Sequence, residues 1–81
     1  MIYPLLTLMD DTEYTYTELR SDGTIMVYVE TPDAVDGFHS LKCVLPNYEF
    51  KNVQGYTLQE QQERLDTIKA HAEYIYNTAS R

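Results

Sequence analysis

Only one stretch of the chain carries a helical period, and it comes last. Leu58, Leu65, Ile68, Ala72, Ile75 and Ala79 follow a three-four spacing, which gathers apolar side chains on one side of an α-helix. Thr57-Leu58-Gln59-Glu60 in front of them fits a capping box: the Thr hydroxyl accepts from the first turn and the Glu side chain reaches back. These signals predict one long helix over residues 58–78, about 30 Å at 1.5 Å per residue. Gln61 interrupts the stripe. Glu60, Glu63, Arg64, Asp66, Lys69 and Glu73 are assigned to the solvent side, where Glu60 and Arg64 stand four apart in the order that contributes about 0.3 kcal/mol. One helix covers one face of a sheet, so the rest of the chain must supply a sheet with one covered and one open face.

The preceding residues have strand character. Residues 2–9 place Ile2, Leu6 and Leu8 on one side and Tyr3, Leu5 and Met9 on the other, with Pro4 marking an edge strand. Residues 13–19 alternate Thr with Tyr and Glu, a composition that fits a pleated surface. Arg20-Ser21-Asp22-Gly23 turns the chain into residues 24–31, where Ile25, Val27 and Val29 oppose Met26, Tyr28 and Glu30. Residues 32–37 form a loop. Residues 38–45 put His39, Leu41, Cys43 and Leu45 on one face, and residues 48–53 form a weaker strand after Pro46-Asn47. The expected fold is α+β: a four- or five-stranded, mainly antiparallel sheet in a single domain over residues 1–81, with one long C-terminal helix packed on one face.

Charge narrows the function. Thirteen Asp and Glu against six Lys and Arg give a formal net charge of -7. Such a chain is ill suited to grip nucleic-acid phosphates directly. No apolar run approaches the roughly 18–20 residues of a membrane span. A lone Cys43 allows no internal disulfide, and the N-terminus lacks a secretory leader, so a cytoplasmic location is expected.

Residues suited to catalysis or metal binding are scarce. His39 and His71 have no second ligand at metal spacing, and His39 and Cys43, four apart on a strand, are separated by about 13 Å. Asp10-Asp11 with Glu13 departs from an EF-hand loop. No metal site, cofactor, catalytic residue or enzymatic activity is expected.

Tyrosine is the outlying residue type, with eight in the chain. It joins a large apolar body to a polar tip and is enriched at protein interfaces. Tyr14 and Tyr16 share a strand face, and Tyr28 is expected across from them, forming an aromatic surface on the open side of the sheet. Covering a half-exposed sheet is an equally ordinary use of these rings. The carboxylates Asp10, Asp11, Glu13, Glu18 and Glu30 are expected beside them, as a field that steers a basic partner. An evenly solubilising surface is the plainer reading of the same residues.

Residues 25–76 resemble the HicB-like antitoxin family. The likeness rests on the Leu45-Pro46 step near the end of a strand and on Gly55-Tyr56-Thr57-Leu58-Gln59-Glu60 at the helix start. Asn47 stands where that family has glycine after the step, and Gln61 where it has a small residue. An extra N-terminal hairpin precedes the match, and no DNA-binding segment follows it. The resemblance implies neutralisation of a small basic ribonuclease toxin.

The expected function is therefore that of a small acidic, non-enzymatic protein. It binds and inhibits a basic nucleic-acid-handling protein, either as an antitoxin does or as a phage-encoded inhibitor of a nuclease or defence complex that partly mimics nucleic acid. The alternative is a self-associating module, such as a homodimer, with no inhibitory role.

Overall fold

The computed structural model describes residues 1–80. Five strands come first: β1 (Ile2–Thr7), β2 (Glu13–Thr17), β3 (Ile25–Asp33), β4 (Gly37–Leu45) and β5 (Glu49–Gln54). Two helices follow, α1 (Leu58–Ala70) and α2 (Ala72–Ala79). The strands lie in the sheet in chain order, each antiparallel to its neighbours. Such a meander needs only short turns.

Alternation fixes which side chains meet the helices. Tyr14 and Tyr16 of β2, Ile25, Val27 and Val29 of β3, and Leu41, Cys43 and Leu45 of β4 are all buried, in one cluster with Tyr56, Ile68, Ile75 and Ala79. The expected β3 and β4 faces are as observed. In β1 a register shift between Pro4 and Leu6 changes the expected faces. Tyr3 pairs with Tyr16 and Leu6 with Tyr14, and Tyr3, Leu5 and Leu6 all pack against the core. A bulge adds a residue to one strand and so breaks strict alternation. Leu8 and Met9 fall in the turn beyond the strand.

The predicted loop at 32–37 is mostly hairpin. β3 and β4 stay paired out to Pro32 with Phe38 and Asp33 with Gly37, leaving only Ala34, Val35 and Asp36 as the turn. Asp33 Oδ2 closes it by accepting the Val35 N–H at 3.1 Å and the Asp36 N–H at 2.7 Å.

The single long helix is instead two. The capping box at Thr57 and Glu60 forms as predicted, with both reciprocal bonds present. The break falls at His71, whose backbone has φ -109° and ψ 7°. His71 Nδ1 lies 2.8 Å from the Thr67 carbonyl oxygen, the acceptor its own backbone N–H would use in a continuous helix. That N–H turns instead to the Ile68 carbonyl. One turn earlier the Thr67 hydroxyl donates to Glu63 O, a contact that bends helices. Side chains competing for i-4 carbonyls thus interrupt the ladder, which apolar periodicity does not register.

The two pieces still bury one line of residues, Arg64 and Ile68 from α1 and Ile75 and Ala79 from α2. Arg64, expected on the solvent side beside Glu60, is buried instead and makes no ion pair with Glu60 among the described residues. Leu58, assigned to the apolar stripe, is exposed. At the far end the Tyr16 hydroxyl meets the Thr78 hydroxyl at 2.6 Å, and the Leu19 N–H donates to Ala79 O at 3.0 Å. The helices therefore cross from the end of β5 to the end of β2 and leave the other sheet face uncovered. No helix among the described residues is long and apolar enough to cross a membrane.

Candidate functional site: an acidic end with exposed apolar side chains

The meander brings the ends of β1, β3 and β5, the starts of β2 and β4 and the start of α1 to one end of the molecule. Asp10 and Asp11 of the first turn, Glu13, Glu30, Asp33 and Asp36 of the β3–β4 hairpin, and Glu60 at the helix start therefore gather there. The thirteen carboxylates are unevenly divided as a result. Glu18, Asp22 and Glu49 lie at the opposite end; Glu63, Asp66 and Glu73 lie along the helices.

Cations are sparse at the acidic end. Arg20 belongs to the opposite turn, Lys42 sits over the Tyr28 ring at 5.8 Å, Lys51 is the cross-strand partner of Lys42 on β5, and Lys69 lies over the Tyr48 ring at 5.3 Å. Arg64 is the exception, and it is buried, its guanidinium 5.2 Å from the centre of the Tyr56 ring. Desolvation works against its charge, but the Tyr14 and Tyr56 hydroxyls and Asp10 more than offset this and hold the guanidinium firmly protonated.

Tyr56 organises this end, and sequence reasoning missed it. Its ring is buried between the Arg64 guanidinium and the edge of the His39 imidazole, 5.9 Å away. Its hydroxyl bonds Thr31 at 2.7 Å, and Thr31 in turn bonds the buried Thr12 at 2.7 Å. This chain of hydroxyls ties the helix start to two strand ends. The signal was present: an aromatic residue immediately before an N-cap commonly packs back on the helix. Gln61, which interrupted the apolar stripe, donates to the Tyr56 carbonyl at 3.1 Å and so holds the same junction.

Local donors keep several of these carboxylates ionised. Asp10 is held below the usual carboxylate range by the Thr12 hydroxyl and N–H. Asp33 is lowered by the Asp36 N–H and Glu60 by the Thr57 N–H. The negative charge of this end is thus built into its turns and cap.

His39 is brought to two carboxylates, which sequence spacing did not anticipate. Its Nε2 lies 3.1 Å from Asp36 Oδ2 and 3.8 Å from Asp33 Oδ2. The donor atoms of the three residues all lie within 4.8 Å of one another, close enough to share a metal ion. Asp33 Oδ2, however, already accepts two backbone N–H groups, and the His39 ring nitrogen is in hydrogen-bond contact with Asp36 Oδ2 across the turn.

The expected contact residues divide. Tyr14 and Tyr16 are 1% and 2% exposed and lie under the helices. They are core, because the alternation of β2 turns both rings to the covered face and leaves Thr15 and Thr17 on the open one. Tyr28 pairs with Thr15, so it faces away from them, half-buried on the open face. Glu18 is also displaced, at the opposite end and 3.2 Å from the Met1 ammonium. Asp10, Asp11, Glu13 and Glu30 do come together.

Exposed apolar side chains share that end. Val35 and Phe38 of the β3–β4 hairpin are 90% and 57% exposed, and Leu8, Met9 and Leu58 are exposed around them. On the adjoining open face a groove of about 360 Å³ is lined by Tyr28, Glu30, Phe38, Ser40, Leu41, Lys42, Asn52 and Gln54. Apolar knobs ringed by like charges can dock a surface of opposite charge, the charges steering and the knobs holding.

Comparison with known protein families, curated proteins and solved structures returned no match. The geometry of this end is therefore the ground for a functional reading.

Proposed function

We propose that this protein acts by binding rather than by catalysis, and that its acidic end docks on the basic surface of a protein that handles nucleic acid, blocking that surface. The observation that carries this reading is the convergence of seven carboxylates (Asp10, Asp11, Glu13, Glu30, Asp33, Asp36 and Glu60) around exposed Met9, Val35, Phe38 and Leu58. A positive nucleic-acid channel is complementary to such a field, and association would be fast and salt-sensitive. The antitoxin version has a small basic ribonuclease as partner, as the HicB-like resemblance implies. The phage-inhibitor version has a nuclease or defence complex.

Affinity capture from the native cytoplasm tests the reading, with three baits washed at rising salt. The baits are the wild type, an acidic-end variant (Asp10→Lys with Asp36→Lys) and an opposite-end variant (Glu18→Lys with Glu49→Lys). The reading requires a basic protein retained by the wild type and the opposite-end variant, released by salt and lost by the acidic-end variant. It further requires the purified protein to inhibit that partner. Equal recovery on all three baits, or recovery of untagged copies of this chain alone, overturns it; the second result points to self-association through the uncovered face.

A further inference from the structure

The groove on the open face adjoins the acidic end and has a chemistry of its own. Glu13 and Glu30 are direct cross-strand partners on β2 and β3, and both project to the uncovered face. Carboxylates so placed have Cβ atoms about 5 Å apart and repel each other. No cation lies within ion-pairing distance of either among the described residues. The same cross-sheet row continues through Ser40, partner of Glu30, to Gln54, partner of Ser40. Neither the Ser40 hydroxyl nor the Gln54 amide is hydrogen-bonded among the described residues. Phe38 borders the row, 57% exposed, with Tyr28 on the other side.

Glu30 in the groove, its cross-strand partner Glu13 beside it, the idle Ser40 and Gln54 groups and the free ring of Phe38 define an unmet cation of a particular shape. It must be planar to lie on a ring and must carry enough donors to bridge both carboxylates. We infer that this groove receives an arginine side chain of the basic partner, with the guanidinium bridging Glu13 and Glu30 and lying on Phe38. The inference rests on the docking reading above and adds the identity of the anchoring residue. A lysine ammonium is a compact point charge without a stacking face, whereas a guanidinium has five donors in a fixed fork and stacks on aromatic rings. Lys42 does not compete, because its ammonium is turned over the Tyr28 ring.

Charge-matched hexa-arginine and hexa-lysine peptides separate this from general attraction, using the full chain at about 50 mM salt, where surface electrostatics are only partly screened. NMR titration reads both affinity and location. Hexa-arginine should bind about three- to five-fold tighter, the worth of one exposed cation–π contact. Its shifts should centre on Glu30, Phe38, Ser40 and Gln54. Glu30→Gln and Phe38→Ser, both at exposed positions, should each lower hexa-arginine affinity more than hexa-lysine affinity and so abolish the preference. Equal affinity for the two peptides, or shifts confined to the turns at Asp10 and Asp36, overturns the arginine site and leaves the acidic-end reading standing. Binding of neither peptide overturns both.

Discussion

The His39 imidazole occupies the space that a side chain on Gly55 would need. A Cβ on Gly55 would lie 2.2 Å from His39 Cδ2, and Gly55 has φ +86°. The residue before Tyr56 is therefore bare so that the imidazole can lie against the β5–α1 connection and its ring edge can meet Tyr56.

Gly55→Ala should destabilise the chain by about 3 kcal/mol, combining the left-handed backbone cost with displacement of a packed ring. Gly23 is the control: its φ is +83° but nothing lies within 4 Å of its Cβ position. Gly23→Ala should cost only the backbone contribution, about 1 kcal/mol. Urea unfolding of the two variants checks the difference, and equal losses would mean that the His39 contact is not rigid.

The Glu13–Glu30 pair makes the opposite kind of prediction. Glu30→Lys turns a repelling cross-strand pair into an attracting one and should raise stability by about 0.5 kcal/mol. The gain should shrink at high salt, because both side chains are exposed. Urea midpoints at low and high salt measure it. A variant no more stable than wild type at low salt would show that the two carboxylates avoid each other at no cost.

Cys43 lies between Val27 and Phe50 in the sheet register and is fully buried. Burial pushes its thiol up to about 11, against a smaller opposing effect of Lys69. Because the thiolate is the reactive form, Cys43 should resist thiol-specific reagents at neutral pH until the chain unfolds. Labelling rates across a urea series should follow the unfolded fraction. Rapid labelling of the native protein would contradict the packing of the sheet under the helices.

Stability should fall on acidification. Asp10 and Asp22 are lowered by the hydroxyl and N–H of Thr12 and Thr24, respectively. Asp33 is lowered by the Asp36 N–H and Glu60 by the Thr57 N–H. The unfolded chain binds protons more readily at these groups, so their contribution is complete above the ordinary values of 3.8 for Asp and 4.5 for Glu. It is lost as pH drops through the lower folded values. Thermal midpoints measured from neutral pH downward should decline below about pH 4.5, and less steeply in Glu60→Gln with Asp33→Asn. A midpoint that climbs steadily with acid would refute the assignment.

The legible part of this protein was what depends on near neighbours in the chain. Alternation in β3 and β4 sorted Val27 from Tyr28 and Cys43 from Lys42, because successive strand side chains point to opposite faces. Thr57 and Glu60 announced the helix start, because a cap is satisfied within four residues. The capture of the Thr67 carbonyl by His71 is also local, but apolar spacing carries no record of hydrogen-bond competition.

What tertiary structure decided was which of two equivalent faces would be covered, and what would meet at the ends. Alternation placed Tyr14 and Tyr16 together, yet covered and open faces read alike until a helix packs on one of them. Burial of Arg64 against Tyr56 and the place of Glu60 come from the packing of α1 on the sheet, whereas the approach of His39 to Asp33 and the gathering of Asp10 with Glu30 come from antiparallel pairing. That pairing folds residues distant in sequence to one end of the sheet. Composition supplied the charge; the meander supplied its direction.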